Sequence, residues 1–168
     1  GPGDVVLVSA GTYRERLELK PGVTLRSAGD DEQGEEFGLQ RANVTIIDLQ
    51  GEAGEAPRIA MAEAATLDGF TITGVGKYDD ATWNEHHATR GDNQKHEHIG
   101  GFHSPAVGIT GISCTVTNCI VHHNGSTGIA IRGVKGKTCE PLIQNNICYR
   151  NMGGGIGAMR NCGGRMLE

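Results

Sequence analysis

The sequence predicts an all-β chain wound as a right-handed parallel β-helix, with three short parallel sheets and one long loop insertion at residues 77–104. Glycine content, strand punctuation and an internal repeat carry that reading. Glycine occupies 27 of 168 positions, more than twice the usual share of roughly 7%, while aromatic residues make up only 4%. Apolar residues fall in short β-branched and aliphatic runs separated by Gly, Asn or Pro, which is strand-and-turn punctuation. No segment keeps a helical apolar period over several turns. The stretch Val116–Asn124 aligns without gaps on Ile143–Asn151, 27 residues later, and the same offset carries Gly128-Ile129 onto Gly155-Ile156. A unit this short cannot bury its apolar face alone, so neighbouring units must stack. Strands of equal period stack parallel at about 4.8 Å, and parallel crossovers are right-handed.

Each strand follows from its local sequence. Val5–Val8 leaves the turn residues Gly1–Asp4, and Val23–Leu25 leaves Pro21-Gly22. Val44–Ile47 is read as a later copy of that second strand, because Asn43-Val44-Thr45-Ile46 matches Gly22-Val23-Thr24-Leu25 at an offset of 21. Phe70–Thr73 follows the Asp68-Gly69 turn. Val107–Thr110 is read as an earlier copy of Gly128–Ile131, with Gly108-Ile109 preceding Gly128-Ile129 by 20. Cys119–Val121, Ile147–Tyr149 and a last strand at Gly155–Ala158 complete the set. Identical polar residues at stacked turns form hydrogen-bonded ladders, here Asn118 over Asn145 and Asn124 over Asn151.

The opening GDVVLVSAGTYRERLELKPGVTLRSAG, residues 3–29, resembles the first coil of right-handed parallel β-helix proteins of the pectate-lyase-like superfamily. Residues 65–74, 116–131 and 143–157 resemble that superfamily's generic coils. The resemblance implies the fold and an extracellular or periplasmic location. It does not select an activity, since the superfamily spans lyases, hydrolases, esterases, epimerases and non-catalytic proteins. The hydrolase motifs N-T-D and G-H-G are absent, which turns an enzymatic reading toward polysaccharide lyase or epimerase chemistry. The helix that usually precedes the Gly-Asp strand of such proteins is not present before Asp4. Residues 1–168 therefore read as one β-helix domain, a piece of a longer solenoid, whose uncapped coils predict end-to-end association.

Residues 77–104 have no repeat character, and a loop this long is normally functional or disordered. The segment holds His86, His87, His96, His98 and His103, the carboxylates Asp79, Asp80, Glu85, Asp92 and Glu97, the cations Lys77, Arg90 and Lys95, and the single tryptophan, Trp83. The repeat places Thr73-Gly74, His122-His123 and Tyr149-Arg150 at one turn of successive coils, so all seven histidines are expected along one edge. Three readings stay open. In one, His86, His87, His96, His98 and His103 with Asp79, Asp80 or Asp92 hold a divalent metal, zinc for the imidazoles or calcium for the aspartates. In another, the edge binds or cleaves an acidic polysaccharide. His122 or His123 then takes the C5 proton, Arg150 and Lys95 offset uronate charge, and Trp83, Arg90 and Tyr149 bind substrate. In the third, the loop is a polar surface insertion that packs against the coil through Trp83, Ile99 and Phe102. The alternative to an enzyme is a non-catalytic sugar- or metal-binding or structural solenoid module.

The net charge of −5 argues against a nucleic-acid partner, which requires a basic face. No apolar run approaches a membrane span. Of the cysteines Cys114, Cys119, Cys139, Cys148 and Cys162, none forms a C-x-x-C pair, and Cys119 and Cys148 read as small buried residues.

Overall fold

The structure, a computed structural model, describes residues 1–31, 39–52, 57–100, 104–160 and 162–167. Its strands form three sheets in which every pairing is parallel. The first sheet stacks Val5–Val8, Thr24–Ser27, Thr66–Asp68, Thr115–Thr117, Leu142–Gln144 and Arg165–Leu167. The second stacks Gly11–Tyr13, Thr45–Glu52, Thr71–Val75, Ile120–His122 and Ile147–Tyr149. The third stacks Leu17–Glu18, Ile59–Ala60, Val107–Thr110, Ile129–Arg132 and Ile156–Met159. The chain visits the three sheets in turn, which is the parallel β-helix the sequence predicts.

Alternation along each strand sends every second side chain into the bore, and parallel register places like residues over one another. Leu25, Leu67, Val116 and Ile143 form one inward ladder. Ile47, Ile72, Val121 and Cys148 form the second, and Ile59, Val107 and Ile129 the third. Leu67, Ile72, Val107, Val116, Val121 and Ile129 are fully buried, and each contributes about 1.5–3 kcal/mol of apolar burial.

Polar ladders run beside these apolar ones. At the turn between the first and second sheets, Gly69, Asn118 and Asn145 all have positive φ, the left-handed region that asparagine tolerates best after glycine. Asn145 Nδ2 donates to Asn118 Oδ1 at 2.7 Å, and Asn118 Nδ2 donates to Asp68 Oδ1 at 2.7 Å. Gly69 ends this ladder because a Cβ there would strike Ser27 Oγ and the Arg41 guanidinium. The second asparagine step is buried. Asn151 Oδ1 accepts from Asn124 Nδ2 at 2.9 Å, while Asn124 accepts from Val75 N and donates to Ile72 O. Both expected asparagine steps are therefore present.

Four expectations need correction. Thr45–Glu52 belongs to the second sheet, where Gly11 pairs with Thr45, whereas Thr24-Leu25 stacks on Thr66-Leu67. The match between residues 22–25 and 43–46 is thus not a rung. Asn43 and Val44 close a short helix, α1 (Gln40–Val44), that lies against the second sheet. Val107, not Ile109, pairs with Ile129, an offset of 22 rather than 20. That register keeps Ile109 over Ile131 in the bore and leaves Gly108 outward beneath Pro57. The last strand is not the one near residue 156, because Arg165–Leu167 adds another rung to the first sheet. Finally, the insertion is not irregular throughout: it contains α2 (Asp80–Ala88) and a single 3-10 turn at His96–His98.

The α1 helix is held by a buried cation. Arg41 is 3% exposed and donates to Asp31 at 2.7 Å, to Asp68 at 2.6 Å and to the Ser27 carbonyl at 3.2 Å. Burial pushes the Asp68 carboxyl up, but the hydrogen bonds from Arg41 and Asn118 outweigh it and hold it below the ordinary range. Replacing Asn124 by Ala leaves Val75 N–H without its acceptor and removes the amide donor to Ile72 C=O and to Asn151 Oδ1 in a dry site. We expect a loss of about 3 kcal/mol in urea-unfolding stability, since each orphaned buried group costs about 1–3 kcal/mol. Gln144→Ala on the exposed face of the same solenoid should change it by less than about 0.5 kcal/mol.

Candidate functional site

The insertion leaves the second sheet immediately after Val75. Gly125 N–H donates to the Val75 carbonyl at 2.6 Å, and a Cβ on Gly125 would lie 2.5 Å from Lys77 backbone atoms. The next coil therefore seats against the root of the insertion, as the repeat alignment implies. Asp79 then caps α2, its Oδ1 accepting from Thr82 N at 2.7 Å, and Asp80 adds negative charge to the first turn. The described side chains of α2 bury only His86. The helix has no apolar stripe, which is why a periodicity search passes over it.

Three stacked turn positions build the site. Gly74, His123 and Arg150 all have positive φ, with values of 70°, 52° and 48°. Strain of this kind costs about 1–3 kcal/mol at a non-glycine residue and concentrates at functional sites. Just before them, Asp48 pairs with Thr73 and His122 pairs with Tyr149 along the outer face of the sheet. Thr73 Oγ1 lies 3.3 Å from His122 Nδ1.

The two imidazoles touch. His123 Nδ1 is 2.8 Å from His122 Nδ1, with the rings edge to face. Tyr149 lies against His122 at 4.9 Å between ring centroids, and Tyr78 meets His123 at 4.8 Å. Burial lowers the pKa of both histidines. The neighbouring His123 lowers His122 further, against an opposing pull from Asp48. At His123, Asp80 pulls the pKa up and Arg150 pushes it down. Burial and Asp80 together raise the Tyr78 phenol.

A second group ties the insertion to the coil. Arg150 donates to Asp80 Oδ1 at 2.6 Å, and Tyr78 donates to the same oxygen at 2.8 Å. The Arg150 guanidinium also sits 4.9 Å from the Trp83 ring centroid, and Trp83 stacks on His87 at 5.0 Å. A cation over a half-buried indole contributes about 0.5–2 kcal/mol.

A third group lies inside the insertion. His86 Nε2 is 3.1 Å from His98 Nδ1, with Gln94 Nε2 3.5 Å from His86 Nδ1 and 2.9 Å from the Met152 carbonyl. Gln94 thus fastens the 3-10 end of the insertion to the following coil.

The residues anticipated from sequence are therefore divided. His122, His123, Tyr149, Arg150, Trp83, His87 and Asp80 form one connected surface. His86 and His98 form a separate pair. Lys95 lies 3.9 Å from Glu97 on the exposed rim, while Arg90 and Asp92 occupy the exposed turn after α2. His96 opens the 3-10 turn, and Phe102 and His103 lie outside the described residues. Asp79 is engaged as the α2 cap. Among the described residues, no three His, Cys, Asp or Glu side chains are grouped so as to hold a metal ion. The described histidines thus fall into separate groups instead of one edge cluster, because α2 carries His86 and His87 to opposite sides.

Thr73 stands where the repeat placed it, one coil before His122. Tyr78 and Gln94 were not anticipated, and they carry no sequence signal. The cysteines are free thiols. Burial pushes Cys114 and Cys119 up to about 12 and Cys148 to about 11, which leaves them protonated and poor nucleophiles at neutral pH. No helix among the described residues is long and apolar enough to cross a membrane. No family model, curated protein or solved structure matches this chain.

In NMR titrations, both His122 and His123 are expected to titrate below the ordinary histidine value of about 6.5. Asp80→Asn removes the charge that pulls His123 up, so that imidazole should titrate lower still. A His123 midpoint that rises in Asp80→Asn contradicts this electrostatic account. The linkage has one sign. Both native pKa values are depressed, so the pair's contribution to stability is complete above the unfolded value of about 6.5. It is lost progressively as pH falls from there toward the native values.

Proposed function

We propose that this protein is a carbohydrate-active β-helix of the pectate-lyase-like kind, acting on an acidic polysaccharide in an extracellular or periplasmic setting. The observation that carries the proposal is the contact between two imidazoles whose protonation burial opposes. In a neutral pair, one Nδ1–H donates to the other Nδ1. The donor ring then keeps a free Nε2 lone pair, which is a base, and the acceptor ring keeps an Nε2–H, which is an acid. Whichever way the hydrogen bond points, the pair offers one of each, and acid–base catalysis needs both.

The chemistry balances as a β-elimination. The basic imidazole takes the proton α to the uronate carboxyl, and the C5–H electrons become the new C4–C5 double bond. The C4–O bond to the neighbouring sugar breaks, and the leaving oxygen takes a proton from the acidic imidazole or from the phenol of Tyr149. Arg150 lies beside this pair and offsets carboxylate charge, its own partner Asp80 being exposed and exchangeable. Trp83 offers a ring for a sugar face.

A non-catalytic reading is favoured by one specific feature. Arg150 is already neutralised by Asp80, and a surface with its cation satisfied and a flat indole is suited to holding a sugar chain without reacting with it. One experiment separates the two. Alginate, pectate and glycosaminoglycan polymers are incubated with the protein, with and without calcium or zinc, and the ultraviolet absorbance of an unsaturated uronate end is followed. Cleavage of at least one polymer is expected. His122→Ala and His123→Ala should each lower its rate by about 100-fold or more, with an acid limb in the native pH profile below about 6.5. Retention of a polymer on an affinity gel without any absorbance establishes the binding module instead. Activity untouched by both substitutions places the chemistry elsewhere.

A further inference from the structure

The segment Lys77–Asp80 divides two surfaces. Asp79 has extended backbone angles, φ −141° and ψ 119°, so its neighbours alternate in direction. Tyr78 and Asp80 face the imidazole pair and Arg150. Lys77 and Asp79 face the other way, into a cavity of about 470 Å³ between the insertion and the next coil. Thr82 of α2, Glu97 and His98 of the 3-10 turn, and Met152 of the coil complete its chemistry. The volume falls within the range of about 300–1,000 Å³ common to small-molecule sites.

The charges and shapes of this lining select a ligand class. Each ammonium at the cavity stands beside a carboxylate, Lys95 3.9 Å from Glu97 and Lys77 acting on Asp79, so the lining does not favour a carboxylated ligand. Glu97 is exposed, with His98 Nε2 3.7 Å and the Lys95 ammonium 3.9 Å from its carboxylate, beyond direct hydrogen-bond reach. Its acceptor capacity remains open to an incoming hydroxyl. Asp79 already accepts from Thr82, but a carboxylate offers about four acceptor positions. Charge-assisted bonds from hydroxyl groups to such oxygens are among the stronger polar contacts. Lys77 supplies a donor for a ring or hydroxyl oxygen. Met152, 3% exposed, adds a small apolar element to the lining. An uncharged ring with hydroxyls on its edge and C–H groups on its face satisfies all of these at once.

The geometry points to a saccharide-binding site in this cavity, taking an uncharged pentose or hexose unit through Asp79, Glu97 and Lys77. The site is separate from the imidazole pair and does not depend on any chemistry there. The two faces lie on opposite sides of the Lys77–Asp80 segment, with Gly125 and Met152 of the cavity two residues beyond His123 and Arg150.

Calorimetric titration of the whole chain with cellobiose, xylobiose, mannobiose, N-acetylglucosamine and glucuronic acid tests the assignment. At least one of the four uncharged saccharides is expected to bind, with glucuronic acid weaker by about tenfold or more. Asp79→Asn keeps the cap on α2, since asparagine caps as well as aspartate, and Glu97→Gln alters only an exposed side chain. The double variant should therefore melt as the native protein does and bind about tenfold or more weakly. The single Glu97→Gln variant, far from any cap, should show part of that loss. His122→Ala, which removes the acid–base pair, should retain the saccharide affinity. The assignment is overturned if none of the four binds, if glucuronic acid is preferred, or if the double variant binds as tightly as the native chain. A loss in His122→Ala as large as in the double variant also overturns it. Because the readout is saccharide affinity, it can succeed or fail whether or not any polymer is cleaved.

Discussion

Parallel stacking in register forces each side chain to lie over its counterpart from the previous coil, and the rest of this structure depends on that constraint. Inside the bore it requires that every rung present an apolar residue at the same place, which yields the continuous ladders through Leu67, Ile72 and Ile129. At the turns it requires residues that accept positive φ and also satisfy a neighbour above and below. Asparagine meets both demands, and so Asn118 with Asn145 and Asn124 with Asn151 run as hydrogen-bonded steps. The buried step is the more consequential, because its amides take up backbone groups that water cannot reach.

The same constraint makes the site. A turn position occupied by Gly74 in one coil is occupied by His123 in the next and Arg150 in the one after. Side chains with different chemistry thus arrive within contact distance because the backbone repeats, with no local motif to announce them. The outer face behaves in the same way: Thr73, His122 and Tyr149 are successive rungs of one column. The solenoid supplies rigid spacing, and the insertion supplies the cover that removes the imidazoles from water. Without Tyr78 and α2 over them, the histidines would be more solvated, and the burial that depresses their pKa values would weaken.

The insertion is itself held by few but specific contacts. Asp80 bridges Tyr78 and Arg150, Gln94 reaches the Met152 carbonyl, and Gly125 packs against Lys77. None of these is an apolar core contact. An attachment made of polar contacts at the surface is weaker than the solenoid beneath it, and that contrast suits a cover over a site better than it suits a structural brace. The buried Arg41 shows the opposite arrangement nearer the start of the chain. There, two carboxylates and a carbonyl surround one guanidinium, and α1 is fastened to the sheet.

The sequence by itself determined the architecture and the asparagine ladders, because both are one-dimensional properties. A 27-residue self-alignment states which residues stack, and stacking is the fold. It also placed His122, His123, Tyr149 and Arg150 at one edge for the same reason. It misassigned the pairs around Val44 and Gly108 where copies are short, since a match of three or four common strand residues does not distinguish one sheet from another. Only the tertiary structure decided how residues 77–100 fold. Their helix has no apolar face to make it periodic, and its position depends on Asp80 finding Arg150 and Gln94 finding Met152, contacts separated by 70 and 58 residues. Whether the described histidines form one cluster or several is settled by the direction in which α2 runs, and no spacing along the chain encodes that.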